Sequence, residues 1–194
     1  MKNVITISRQ YGSGGRLIGE QAANRLGYAF YDSEIIKNEM VKRGFSQDMV
    51  DYGEQKDKAS GSFLFNLVMN LNVEHGSESR IVQEEQKVIK ALAVQGPCVI
   101  VGRAANFLLD KSFNALHVYA YADRAFRIQN AIDNYGIAPD EAEKMVEDTD
   151  RIRKAHISSF YGKDWGDPAS YDLLLNTGSL GIEKCIEILC SAVK

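Results

Sequence analysis

No run of roughly 18 apolar residues occurs in the 194-residue sequence, so a membrane-spanning helix is not expected. Met1 and Lys2 lead straight into a strand-like stretch with no signal-peptide core, which makes the cytoplasm the expected localisation. Cysteine and histidine are scarce as well, at three each. Cys98, Cys185 and Cys190 form no CxxC pair and share no metal-ligand spacing with His75, His117 and His156, so neither a disulfide framework nor a metal site is expected, and the thiols read as buried and reduced. An excess of positive charge is also missing: 23 Lys and Arg face 26 Asp and Glu, for a net charge of -3, with the basic residues spread along the chain. That removes the electrostatic footprint for a nucleic-acid polymer or an anionic membrane and leaves a small charged ligand held by a few local cations. The 45% of apolar and 25% of charged residues are ordinary for one globular domain.

What is present is a sequence of short apolar strands separated by helical patterns. Val4-Ile5-Thr6-Ile7 is β-branched; Gly12-Ser13-Gly14-Gly15 follows, and then Ile18, Gly19, Ala22, Ala23 and Leu26 at helical spacing, closed by Gly27. Tyr28 to Tyr31 reads as a second strand ending at Asp32. Helical patterning runs from Ser33 to about Gln95, interrupted by polar loops at 55–61 and 74–78. Cys98-Val99-Ile100-Val101 suits a strand covered on both faces, Leu116 to Tyr121 is a fourth, and Tyr171 to Leu175 a fifth. A long charged helix is expected over about 139–160, and an amphipathic one carries Ile182, Cys185, Ile186, Leu189, Cys190 and Val193. Alternating strands and helices predict an α/β fold, a five-stranded parallel sheet with helices on both faces.

In such a sheet ligands gather beyond the strand C-termini, which draws attention to Ser8 to Arg16, Asp32 and Ser33, Gly102 and Arg103, and Tyr121 to Arg127. A glycine loop between strand and helix presents backbone N–H groups to an anion at the positive end of the helix dipole, and phosphate is the natural guest. Gly12, Ser13, Gly14, Gly15 and Arg16 are the candidate cradle; the competing reading is a tight turn. The spacing departs from G-x-x-x-x-G-K-[ST]: counting on from Ser8, Gly15 stands where lysine is expected, a loop one residue longer puts Arg16 there, and Leu17 offers no hydroxyl to Mg²⁺. Asp32 either orients an acceptor or a hydrated Mg²⁺, or caps the helix that follows.

Ile5-Thr6-Ile7-Ser8-Arg9-Gln10-Tyr11-Gly12-Ser13-Gly14-Gly15-Arg16, with Phe30-Tyr31-Asp32, Val99-Ile100-Val101-Gly102-Arg103, Tyr161 to Pro168 and Tyr171 to Gly178, resembles the cytidylate kinase-like family over essentially the whole chain. The resemblance implies a three-layer P-loop kinase-like fold, single-domain, with a helical monophosphate-binding insertion at about 37–95 and a lid at about 146–168. It implies transfer of the γ-phosphoryl group of ATP, with Mg²⁺, to CMP or dCMP. Asp32-Ser33 stands at the family's Asp-Ser-Gly contact to the monophosphate, with Glu34 replacing glycine. Arg103 stands at the arginine on the acceptor phosphate, with Ala104 replacing aspartate; Asp150-Arg151-Ile152-Arg153 matches the lid's Asp-Arg-x-Arg, and two further lid arginines fall on Val146 and Thr149. Arg16, Arg103, Arg151 and Arg153 are thus the candidate catalytic cations, and Asp32, Ser33, Arg103 and Asp150 the acceptor-side set. Arg124 and Arg127 rank below them, as partners for lid carboxylates or phosphate.

Two functions are compatible with these residues. One is an ATP-dependent nucleoside-monophosphate kinase in which Arg16 or Arg9 substitutes for the loop lysine; the other is a non-catalytic nucleotide- or phosphate-binding module. The expected partners are nucleotides, and Phe63 to Met69, which either packs in the core or seats a partner helix, leaves a homo-oligomer open. Trp165 and Tyr161 either stack on a base or pack against the domain.

Overall fold

The computed structural model describes residues 2–45, 77–109 and 111–193; the 55–61 loop, Phe63–Met69 and His75 lie outside them. The elements are β1 (Val4–Arg9), α1 (Gly15–Leu26), β2 (Ala29–Tyr31), α2 (Ser33–Lys42), α3 (Ser77–Ala93), β3 (Cys98–Val101), α4 (Ala105–Leu108), β4 (Ala115–Tyr121), α5 (Arg124–Tyr135), α6 (Pro139–Tyr161), β5 (Leu173–Asn176), α7 (Thr177–Leu180) and α8 (Ile182–Ala192), with two single 3₁₀ turns at Lys111–Phe113 and Pro168–Ser170. All strands are parallel in the order β2-β3-β1-β4-β5.

The strand period of two divides the core into two layers. Ile5, Ile7, Val99, Val101, Leu116 and Val118 face α1 and α8, meeting Ile18, Ala22, Ile186 and Leu189. Val4, Cys98, Ile100 and Ala115 face the other way, onto Ile36 and Met40 of α2, Val88, Ile89 and Leu92 of α3, and Ala105 and Leu108 of α4. Burial of each large side chain contributes about 2 kcal/mol, so two continuous apolar layers carry the sandwich. The polar residues of β1 on the second face are satisfied: Thr6 Oγ1 bonds His117 Nδ1 at 2.8 Å and Ser8 Oγ donates to Asn106 Oδ1 at 3.1 Å.

Several boundaries differ from the sequence expectation for local reasons. β5 begins at Leu173 rather than Tyr171, because Asp172 is spent on bracketing His117: its N–H donates to the His117 carbonyl and its carboxylate accepts the His117 N–H, both at 2.8 Å. α3 starts at Ser77, inside the stretch expected as a loop. The one-turn helices α4 and α7 are too short to leave a periodic signal. Cys98 and Cys185 are buried, while Cys190 is partly exposed. Among the described residues no helix is long and apolar enough to cross a membrane.

Candidate functional site

β1 delivers the chain to the C-terminal edge of the sheet at Arg9, between β3 and β4. The strand ends when Gln10 N–H donates to the Ala120 carbonyl of β4 at 3.0 Å. The loop then folds on itself: the N–H and hydroxyl of Ser13 both donate to the Gln10 carbonyl, at 3.3 and 2.8 Å, while Gly12 and Gly14 take left-handed φ of 77° and 74°. Gly14 caps α1 with no side-chain oxygen. The first-turn N–H groups of α1 therefore have no side-chain cap, and they stand at the positive end of the helix.

Two helices clamp this turn from outside. From α5, Asn130 Nδ2 donates to the Gly12 carbonyl at 2.7 Å and Arg127 Nη1 to the Tyr11 carbonyl at 3.3 Å. From α6, Asp150 Oδ1 accepts the Tyr11 N–H at 2.8 Å and Arg153 Nη1 donates to the Arg9 carbonyl at 2.8 Å. Asp150 Oδ2 also accepts Arg127 Nη1 at 2.5 Å, which ties α5, α6 and the loop into one network. Burial pushes the Asp150 carboxyl above the usual carboxylate range, opposed by the Tyr11 N–H and the Arg153 and Arg127 charges. The Arg153 guanidinium is shifted down, chiefly by burial.

The residues singled out from the sequence fall into separate environments. Arg103 follows β3 with a left-handed φ of 55° and reaches Glu85 of α3 in a buried ion pair at 3.1 Å. Its charge, with that of Arg153, acts on Arg9, whose guanidinium is held well below its ordinary value by burial first and then by these two neighbours. Asp32 caps α2 by accepting the N–H groups of Glu34 and Ile35, each at 3.1 Å, and also takes Arg16 at 2.8 Å; both roles open at the sequence level concern this one carboxylate, and the cap is made. Ser33 opens α2. Arg16 is half-exposed, pairs additionally with Glu20 at 3.0 Å, and lies over Phe30. Arg151 is exposed and paired with Asp148 at 2.7 Å, on the side of α6 away from the network. Arg124 pairs with Glu143 and Glu147. Val146 is fully buried.

Behind Arg103 lies a buried polar layer. His156 of α6 packs on Phe160 and Tyr161, and burial, reinforced by the Arg103 charge, lowers it to about 4. Its Nδ1 is buried with no hydrogen-bond partner among the described residues. Tyr161 stacks on Phe107 with ring centres 5.9 Å apart, and Trp165 sits edge-on against Tyr119 at 5.6 Å. Both aromatics thus pack against the domain.

Sequence reasoning missed the clamp. Asn130 carries no signal, Arg127 ranks low, and Asp150 reads as an acceptor contact; the legible hint is Asp123, which caps the start of α5 by accepting the Phe126 N–H at 2.9 Å. A protein-held Mg²⁺ does not fit the residues present. Leu17 has no oxygen to offer, Asp32 is committed to Arg16 and to its cap, and no group of three or more His, Cys, Asp or Glu that could hold a metal exists among the described residues.

Comparison with known proteins places this geometry. The chain is 26% identical over 176 residues to a cytidylate kinase of Thermoplasma volcanium, covering 89% of this chain and 82% of that protein. It is 25% identical over 194 residues to a cytidylate kinase of Pyrococcus horikoshii, covering 99% and 88%. Among solved structures, an uncharacterized protein from Eubacterium ventriosum superposes with a TM-score of 0.73 at 19% identity, covering 98% of this chain and 97% of that one. Shikimate kinase from Bacteroides thetaiotaomicron gives 0.57 at 16% identity, covering 99% and 98%. The fold is thus that of the P-loop kinases, and since the model of the cytidylate kinase-like family matches residues 4–179, the chain belongs to that family.

Proposed function

We propose that the protein transfers the γ-phosphoryl group of ATP to a nucleoside monophosphate, CMP or dCMP by family likeness, or to a related small acceptor. The observation that carries this reading is the convergence of Arg103 and Arg153 on Arg9 beside a clamped glycine loop: Arg153 donates to the Arg9 carbonyl, the Arg9 guanidinium reaches Gly102 next to Arg103, and both like charges act on it. Phosphoryl transfer asks a protein chiefly to hold two polyanions in line and to neutralise charge on the moving group. In this reading the loop amides take the donor phosphates, Arg103 the acceptor phosphate, and Arg153 the transferring group. An oxygen of the acceptor phosphate forms a bond to the γ-phosphorus, the bond from that phosphorus to the β–γ bridging oxygen breaks, and ADP leaves. No step is assigned to a protein-held metal.

Buried His156, whose Nδ1 is unpartnered among the described residues, supports a polar acceptor near Arg103. A coupled assay with ATP, Mg²⁺ and a panel of monophosphates tests the proposal: CMP or dCMP should be turned over, and Arg103→Ala should lose about 10²-fold or more in kcat/KM. Wild-type turnover no higher than that of Arg103→Ala rejects it. The second reading, a nucleotide-binding module without transfer chemistry, is favoured by the buried Arg103–Glu85 pair, in which the carboxylate already neutralises the charge Arg103 would bring to a phosphate. Calorimetric binding of nucleotide without turnover in the same assay selects that alternative.

A further inference from the structure

The loop has glycine at position 15, and the space a side chain there would fill is occupied. A Cβ on Gly15 would lie 2.6 Å from Arg9 Cβ, 3.2 Å from Arg9 Cγ and 3.0 Å from Ala120 Cβ. The stem of Arg9 therefore crosses directly over the first residue of α1. Its guanidinium continues to Gly102 at the end of β3, where Nη1 would overlap any Cβ and where a φ of 82° independently favours glycine. Two glycines on different elements thus form a slot for a single arginine.

The contents of the slot are electrostatically incomplete. Among the described residues no carboxylate lies in ion-pair range of Arg9, and the side chains acting on it most strongly are the like charges of Arg153 and Arg103, opposed to a smaller extent by Tyr135 and then Asp32. A partly buried guanidinium in such surroundings gains most from an incoming anion. Arg16, the other candidate, is already engaged by Asp32 and Glu20 at 2.8 and 3.0 Å.

We propose that Arg9, reaching across Gly15 from the end of β1, is the cation that grips the β- and γ-phosphates of the nucleotide, in place of a lysine at position 15. The loop has in effect moved its cation from helix to strand, and Gly15 and Gly102 are the clearance that the move requires. This inference rests on the proposed function, since it presumes a nucleoside triphosphate on the loop.

Calorimetry with ATP and with inorganic tripolyphosphate tests it on wild type, Arg9→Met, Arg9→Lys and the double variant Arg9→Gly/Gly15→Lys, with thermal melts to confirm folding. Arg9→Met keeps the stem over Gly15 and removes the charge; it should bind both ligands about tenfold or more weakly than wild type, while Arg9→Lys stays within about threefold. The folded double variant should regain most of the lost affinity. Equal binding by Arg9→Met and Arg9→Lys overturns the inference and leaves the proposed function standing, and a folded double variant no tighter than Arg9→Met overturns the exchange of positions. Wild type that binds neither ligand removes the proposed function, and this inference with it.

Discussion

Asp150 shows how much one carboxylate can hold. Its two oxygens serve the Tyr11 N–H and the Arg127 guanidinium, and Arg153 stands 3.6 Å away. Asp150→Ala strands a largely buried guanidinium and a loop amide together, and should cost about 3 kcal/mol in urea unfolding, whereas Asp150→Asn, which keeps an acceptor for the Tyr11 N–H, should cost less. Similar losses from both variants would show that the amide contact contributes nothing. His156 gives a second test, in pH. Its folded value of about 4 lies below the unfolded 6.5, so the unfolded chain binds more protons between these limits. Its contribution is therefore complete above pH 6.5 and is lost as pH falls toward 4, about 3 kcal/mol in all. His156→Gln should flatten the stability profile in that window; an unchanged slope would assign acid sensitivity to other groups. Neither residue's role was legible in the sequence, since the Tyr11–Asp150 bond spans 139 positions and His156 sits in a helix whose charge pattern suggests a solvated face.

The elements themselves were legible where the pattern was long or the punctuation strong. Cys98–Val101 is a continuous apolar run, Ala115–Tyr121 is an apolar run interrupted at His117, and α6 is preceded by Ala138 and opens on Pro139, a residue suited to a first helical turn. β5 escaped by two residues because Tyr171 and Asp172 look like strand, while the Tyr171 N–H turns back to the Pro168 carbonyl and Asp172 brackets His117, tertiary demands that override local preference. α5 illustrates an element tuned for the site. Its Asp123 cap should contribute about 1 kcal/mol to folding, so Asp123→Ala should lower the unfolding free energy measured in urea by about that amount. Because Asn130 and Arg127 ride on the same helix, the variant should also weaken tripolyphosphate binding; a fall in stability with no change in affinity would separate the helix from the loop it holds.

At the scale of the molecule, parallel topology brings the ends of β1, β3 and β4 to one rim, and that much follows from the alternation of strands and helices alone. Which cations meet there does not, because it depends on direction. Arg151 and Arg153 are neighbours in sequence and point to opposite environments, one to solvent and Asp148, the other to the Arg9 carbonyl. The sequence offers Arg9 only beside Arg16 as a stand-in for the loop lysine, and the missing side chains at Gly15 and Gly102 reveal the path Arg9 takes. The sequence contains a single tryptophan, Trp165, lodged against Tyr119 just past the end of α6. Nature has therefore supplied a fluorophore at the foot of the helix that grips the loop, and its emission can be followed without labels or engineered dyes during nucleotide titrations.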